Sequence, residues 1–81
     1  MQTIELHCFG IARDLTAAST ITLHLRPRPT VREVREALIE AYPAFGELVS
    51  FAIARNEAYA GAEEVVGEGD TLAIIPPVSG G

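Results

Sequence analysis

The residues of this sequence best suited to chemistry form its last segment, 76–81, which reads Pro-Pro-Val-Ser-Gly-Gly. Pro76 and Pro77 lack amide hydrogens and favour a stiff extended chain, so strand pairing should end before them. Six extended residues reach about 20 Å at roughly 3.3 Å each, which is far enough to enter another protein's active site. Gly80 and Gly81 have no Cβ, so they fit a channel too narrow for any side chain.

The group delivered by such a segment is the α-carboxylate of Gly81. A carboxylate is a poor electrophile, and enzymes commonly activate it by transfer onto a nucleotide as an acyl-adenylate. Glycine is the least hindered acyl group for this step. We therefore predict that Gly81 is the reacting residue and that a partner binds the residues before it, which are Pro76, Pro77, Val78, Ser79 and Gly80. A Gly-Gly end taken alone is also typical of a frayed terminus without chemistry.

The other reactive or metal-binding side chains are interpreted as structural. Cys8 is the only cysteine, and its place in an alternating pattern predicts a core position, where thiols are usually inert. His7 and His24 fall on the outward side of two predicted strands and could be near each other. Two histidines without a third ligand make a poor metal site. We expect no metal and no bound cofactor.

The formal net charge of −5 is unevenly distributed. Residues 1–55 contain six arginines and six acids, whereas the remainder contains no basic residue and five acids, Glu57, Glu63, Glu64, Glu68 and Asp70. Nucleic-acid binding needs a basic stripe, so we predict no nucleic-acid partner. The acidic surplus favours a basic surface on a partner protein, although a solvated acidic face that keeps the chain soluble is an equal alternative. No stretch is apolar enough to span a membrane and no signal pattern is present, so we expect a cytoplasmic protein without membrane contact.

Periodicity predicts one main helix and several strands. Alternating apolar residues over 3–9 and 20–25 indicate an antiparallel pair joined by a loop. Thr30 and Glu33 form a Thr-x-x-Glu capping box at the start of a helix that Pro43 ends. The apolar stripe of this helix is Val31, Val34, Leu38 and Ala41.

In the second half of the chain, the pattern of apolar residues predicts strands over 51–55 and 71–75, with a short strand near Tyr59 between them. Residues 44–50 are either a helical turn or a packed loop. At 81 residues the chain is one domain with one core. The economical packing is an α+β fold with a mixed sheet of four or five strands and the helix on one face. With the first and last strands parallel in the middle, this is the β-grasp, or ubiquitin-like, layout, over 1–75, followed by a flexible extended tail over 76–81.

Several of these segments resemble the small, sulfur-carrying subunit of molybdopterin synthase, within the ubiquitin-like sulfur carriers. The resemblance covers nearly the whole chain. It is strongest in Ile-Pro-Pro-Val-Ser-Gly-Gly at 75–81, Glu-Gly-Asp at 68–70 and Phe-Gly-Ile-Ala-Arg-Asp-Leu at 9–15. Carriers of the thiazole pathway share the fold and the Gly-Gly end but usually lack the two prolines.

The resemblance implies a cycle with two partners. A ubiquitin-activating-type enzyme would use ATP to adenylate Gly81, and a sulfur donor would convert the adenylate to a thiocarboxylate. The large subunit of molybdopterin synthase would then accept the tail, in a heterotetramer, and sulfur would pass to cyclic pyranopterin monophosphate to form the molybdopterin dithiolene. The chain would be a co-substrate subunit and not an enzyme by itself.

Three other functions stay open. The chain could carry sulfur for thiazole, tRNA thiolation or cysteine synthesis. It could be a ubiquitin-like modifier joined to target lysines, although it has no lysine itself. It could also be a β-grasp interaction module without chemistry at its end.

Strand parity suggests a surface beside the tail. Phe9 and Ile75 have outward parity at the ends of the first and last strands, so parallel pairing would bring them together. We predict that they form an apolar docking patch together with Tyr59.

Overall fold

The computed structural model describes residues 1–47 and 51–75, which contain five strands and three helical segments. The strands are β1 (Gln2–Cys8), β2 (Thr20–Leu25), β3 (Ala52–Arg55), β4 (Ala58–Tyr59) and β5 (Leu72–Ile75). The helices are α1 (Ile11–Thr16), α2 (Val31–Ala41) and a 3₁₀ helix (Pro43–Glu47).

The strands form one mixed sheet in the order β2-β1-β5-β3-β4. β1 and β5 are parallel neighbours, with Leu6 opposite Leu72 and Cys8 opposite Ile74. The other strand pairs are antiparallel. The predicted β-grasp arrangement is therefore confirmed, and the last strand lies at the centre of the sheet.

The alternating pattern of β1 separates the two faces of the sheet. Ile4, Leu6 and Cys8 are buried, whereas Thr3 and Glu5 are exposed. Cys8 is a core residue as predicted. The buried cluster combines one face of the sheet with the apolar stripe of α2, and its fully enclosed members include Leu6, Val34, Leu38, Phe45, Val66, Leu72 and Ile74. The core thus lies between the sheet and α2, and the opposite face of the sheet is left open.

The capping box fixes the start of α2. The amide N–H of Glu33 donates to Thr30 Oγ1 at 3.2 Å, and the amide N–H of Thr30 donates to Glu33 Oε1 at 2.9 Å. These reciprocal bonds satisfy backbone donors that the first turn leaves without helical partners. The helix ends before Pro43, so both predicted limits are confirmed.

The structure departs from the sequence predictions in three places. Ala41, predicted as the last member of the apolar stripe, is exposed at the C-terminal end of α2, so the buried stripe is Val31, Val34 and Leu38. The connection expected to be a plain loop contains α1, which follows Gly10 at φ 54° and ends at Ala17 in the left-handed conformation. His7 and His24 are not near each other, because His7 pairs with Thr20 and His24 pairs with Thr3. Four residues of strand separate the two positions, or about 13 Å.

The described residues show neither a metal-binding cluster nor a membrane-spanning helix. Across residues 1–47 and 51–75, no group of three or more His, Cys, Asp or Glu side chains could hold a metal ion. Among those same residues, no helix has the length and apolar character needed to cross a bilayer. Residues 43–47 form the helical turn that was one alternative for 44–50, while 48–50 lie outside the described residues.

Candidate functional site

A shallow apolar depression of about 410 Å³ lies on the open face of the sheet, away from α2. Its floor contains Ala54 and Ala73, which are partners across β3 and β5. Their small side chains leave space that larger residues around them enclose. The residues at the rim are His7, Phe9, Glu57, Tyr59, Thr71 and Ile75.

Strand register explains why these residues meet. His7 pairs with Ala73, Ala73 pairs with Ala54, and Ala54 pairs with Tyr59, so one row crosses four adjacent strands. Residues paired directly across a sheet point to the same face. The row therefore gives the depression its width, with an imidazole at one end and a phenol ring at the other.

The structure brings together the three residues of the predicted docking patch. Phe9, Tyr59 and Ile75 all line the depression. Phe9 is 53% exposed and Tyr59 is 74% exposed, values that are high for aromatic side chains. Their use as a docking surface stays a prediction, since no partner chain is present.

The predicted tail begins at this depression. Ile75 is the last residue of the central strand and one of the lining residues. The tail residues, which include Gly81, lie outside the described residues, so their roles and the domain boundary at residue 75 stay predictions. What the geometry adds is the position of Ile75, the last described residue before the predicted tail, at the rim of the apolar depression.

A two-residue turn positions β3, β4 and the start of β5. Asn56 and Glu57 both have positive φ, 51° and 72°, between the paired residues Arg55 and Ala58. This is the geometry of a type I′ hairpin turn. The Asn56 amide N–H donates to the Thr71 carbonyl at 2.8 Å, and Asn56 Oδ1 accepts from the Thr71 amide at 3.0 Å. The turn is thereby tied to the residue that enters β5.

Asp70 holds the same junction from the other side. The Gly67 amide N–H donates to Asp70 Oδ2 at 2.8 Å, and Asn56 Nδ2 donates to Asp70 Oδ1 at 3.2 Å. Arg55 Nε lies 3.0 Å from Asp70 Oδ2, in an orientation that makes the contact an ion pair without a hydrogen bond. The Gly67 hydrogen bond, followed by those of Asn56 and the charge of Arg55, lowers the pKa of Asp70 below its ordinary value.

Ion pairs within the domain engage three of the five acids after residue 55, the group for which a partner surface and a solvated face were equal alternatives. Glu63 lies 2.6 Å from Arg32, and Arg55 contacts both Glu64 and Asp70. Among residues 1–47 and 51–75, Glu57 and Glu68 are the acids after residue 55 with no ion pair, and Glu57 is the one at the depression. Fewer acids are therefore available to a partner protein than the sequence suggested.

Sequence reasoning assigned three of the eight lining residues to the site and missed the other five, namely His7, Ala54, Glu57, Thr71 and Ala73. Outward parity next to Ile75 could have indicated Ala73. Ala54 and Glu57 depend on the register between β3, β4 and β5, which the sequence pattern does not specify. His7 was correctly placed on the outward face but was not associated with Phe9 and Ile75.

Comparison with known proteins gives the family. The sequence model of the ThiS family matches residues 6–81 of this chain. The chain belongs to the ThiS family. The molybdopterin synthase sulfur carrier subunit of Arabidopsis thaliana is 35% identical to it over 79 residues, covering 96% of this chain and 82% of the relative.

A second group of relatives carries a different name. Small archaeal modifier protein 1 of Haloferax volcanii is 31% identical over 87 residues, covering 96% of this chain and all of the relative. The crystal structure of SAMP1 from Haloferax volcanii superposes on this ThiS-family chain with a TM-score of 0.82 at 27% identity, over 98% of this chain and 99% of that one. The resemblance seen in the sequence is confirmed, and the relatives indicate a ubiquitin-like sulfur carrier.

Proposed function

We propose that this chain is the sulfur-carrier subunit of a molybdopterin synthase and that the carboxylate of Gly81 carries the sulfur. One structural observation carries the proposal: the central strand ends at Ile75, on the rim of an apolar depression formed with Phe9 and Tyr59. A partner that grips this depression is placed at the point from which the tail extends. The identity to the plant sulfur carrier subunit, 35% over 79 residues, supports the same function.

The proposed chemistry begins with activation of the carboxylate. A Gly81 carboxylate oxygen attacks the α-phosphorus of ATP, and pyrophosphate leaves as the acyl-adenylate forms. Sulfide from a sulfur donor then attacks the acyl carbon, AMP leaves, and the product is a thiocarboxylate. A ubiquitin-activating-type enzyme supplies the ATP site, so this chain needs no bound cofactor of its own.

Sulfur delivery follows in the large subunit of the synthase. The thiocarboxylate sulfur attacks a side-chain carbon of cyclic pyranopterin monophosphate, and an oxygen substituent leaves that carbon as the C–S bond forms. Water then cleaves the acyl–sulfur bond, so the sulfur stays on the pterin and the Gly81 carboxylate is restored. Two such transfers supply the two sulfurs of the dithiolene. The carrier thus acts as a co-substrate subunit, which we place in a cytoplasmic heterotetramer with the large subunit.

Intact mass spectrometry tests the carrier function directly. The full chain is incubated with ATP, sulfide and the ubiquitin-activating-type enzyme encoded in the same genome. We expect the mass gain of one sulfur replacing one oxygen, located at Gly81, and no gain in a chain extended by one alanine after Gly81. An unchanged mass, in a reaction where another sulfur carrier is converted, would favour an interaction module without chemistry at its end.

Similarity to the archaeal modifier favours one second candidate, a ubiquitin-like protein modifier. That relative is aligned over its entire length at 31% identity. In this function the Gly81 acyl group would be transferred to a lysine of a target protein, and never to a lysine of this chain, which has none. Recovery of other proteins joined through Gly81, with no thiocarboxylate in the same extract, would replace the first proposal with this one. If the thiocarboxylate supports thiazole, thiolated tRNA or cysteine synthesis and not molybdopterin synthesis, the carrier function stands and the proposed pathway is wrong.

A further inference from the structure

Glu57 has an unusual backbone conformation for its residue type. Its φ of 72° lies in the left-handed region, where side chains with a Cβ are disfavoured and glycine is common. Asn56 beside it also has positive φ, but asparagine tolerates this region and its side chain is bonded to Asp70 and Thr71. Glu57 has no comparable compensation, because no hydrogen bond or ion pair engages its carboxylate among residues 1–47 and 51–75. The type I′ turn requires the positive φ, but glycine or asparagine would adopt it at lower cost, so the turn does not account for a glutamate at this position.

The position of Glu57 indicates what that requirement is. Glu57 lines the apolar depression together with Tyr59, whose ring is 74% exposed. Among the described residues, Glu57 is the one acid that lines the depression, and no arginine lines it to neutralise that charge. The depression therefore combines an apolar floor, an open aromatic face and one unneutralised carboxylate.

We propose that Glu57 and Tyr59 together bind an arginine side chain of the protein that accepts the tail, beside an apolar residue that fills the depression. The inference rests on the proposed function, because it assigns the partner of the same site. Arginine fits the arrangement best, since its planar guanidinium can pair with a carboxylate while its face stacks on an aromatic ring. The charge makes Glu57 a specificity residue: it favours a basic partner surface and repels an acidic one.

Binding to the large synthase subunit encoded in the same genome tests the proposal. Affinities of the unmodified chain, Glu57→Gln and Glu68→Gln are measured by titration calorimetry at low and physiological salt. Glu68 is a matched control because it is exposed, forms no ion pair in the described part of the chain and lies outside the depression. Both variants change the net charge equally. We expect Glu57→Gln to weaken binding about tenfold and Glu68→Gln to have little effect.

Two further variants separate recognition from folding. Glu57→Gly should weaken binding as much as Glu57→Gln while leaving thermal stability equal or higher, because glycine relieves the positive φ. Tyr59→Leu keeps apolar contact area but removes the ring, and it should weaken binding severalfold. Loss of stability in Glu57→Gly without loss of affinity would assign Glu57 to the turn and overturn the proposal.

The remaining outcomes are distinct. If the unmodified chain binds and Glu57→Gln binds equally well, the arginine site is wrong and the carrier function is untouched. If the unmodified chain neither binds the large subunit nor forms a thiocarboxylate, the proposed function fails and this inference fails with it. If sedimentation shows a dimer that Glu57→Gln dissociates, the occupant is a second copy of the chain and the proposal is overturned.

Discussion

At the residue scale, Gln2 connects three distant parts of the chain through one buried amide. It is 3% exposed and shares the inward parity of Ile4, Leu6 and Cys8. Its Nε2 donates to the Val66 carbonyl at 3.1 Å, and its Oε1 accepts from the Arg28 amide at 2.8 Å. A polar side chain in a core position is stable only when its partners are supplied, and here the backbone supplies both.

Replacing Gln2 with leucine should therefore destabilise the domain although it adds apolar surface. The Val66 carbonyl and the Arg28 amide would lose their partners, and we expect the free energy of unfolding to fall by about 2–4 kcal/mol. Urea denaturation measures the change, with Glu5→Gln on the exposed side of the same strand as the control. A loss no larger than that of the control would mean that water replaces the amide.

At the element scale, α2 depends on its capping box. Thr30→Ala removes the hydroxyl that accepts from the Glu33 amide, whereas Thr30→Ser keeps it. We expect the alanine variant to lose about 1 kcal/mol of unfolding free energy and the serine variant to lose much less. An unchanged m-value, the slope of the unfolding free energy against urea concentration, would confirm that the fold is kept and that only stability is changed. Equal losses in both variants would show that the threonine methyl group, and not the cap, is responsible.

The same helix shows what the sequence could predict. Its cap, stripe and proline stop are relations between residues a few positions apart, so local rules identify them. α1 has no such signals: it is six residues long, its N-cap is Gly10 and no side chain caps it. A helix this short is not stable by itself and depends on tertiary packing, here through the fully buried Ala12. The sequence analysis missed α1 because the helix is stabilised by packing and has no local signal.

The candidate site was also predictable only in part, namely where strand parity alone decides which residues meet. Strand parity and the expected parallel pairing of the first and last strands predicted that Phe9 and Ile75 would be close, which the structure shows. The floor at Ala54 and the charge at Glu57 depend on a hairpin turn with positive φ at two residues that are not glycine. Turn rules that search for glycine give only a weak signal at such a sequence.

At the scale of the whole molecule, two carboxylates link stability to pH. Hydrogen bonds and charge from Arg26, with the Thr30 amide, lower the pKa of Glu33, and the Gly67 amide, Asn56 and Arg55 lower that of Asp70. A lowered folded-state pKa gives stability that is present above the unfolded-state pKa and lost as pH falls through the folded-state pKa.

The contribution of these two carboxylates to the free energy of unfolding should consequently be lost progressively as the pH falls below about 4. Urea denaturation across a pH series measures this dependence. Asp70→Asn should be less stable near neutral pH and should show a shallower acid loss, since one of the linked groups is gone. The same acid slope in the variant and the unmodified chain would exclude Asp70 as a contributor. Glu68→Gln is again the matched control, because Glu68 forms no ion pair in the described part of the chain.

The open face of the sheet allows folding and recognition to be separated, because the core lies entirely on the other face. Ala73 is half-buried on the floor of the depression, and its neighbours Leu72 and Ile74 belong to the core. Ala73→Leu should fill the depression from outside the core. We expect thermal stability to change little and affinity for the large synthase subunit to fall at least tenfold, since the partner's apolar residue would lose its space.

Thr22→Leu provides the matched control for this variant. Thr22 is exposed on the same face but belongs to β2, outside the lining residues. It adds a comparable apolar side chain without entering the depression, so binding should be retained. Equal loss of affinity in the two variants would mean that the partner covers the face broadly. Unchanged affinity in Ala73→Leu would instead mean that the partner grips only the tail, and the depression beside Ile75 would then have no part in sulfur transfer.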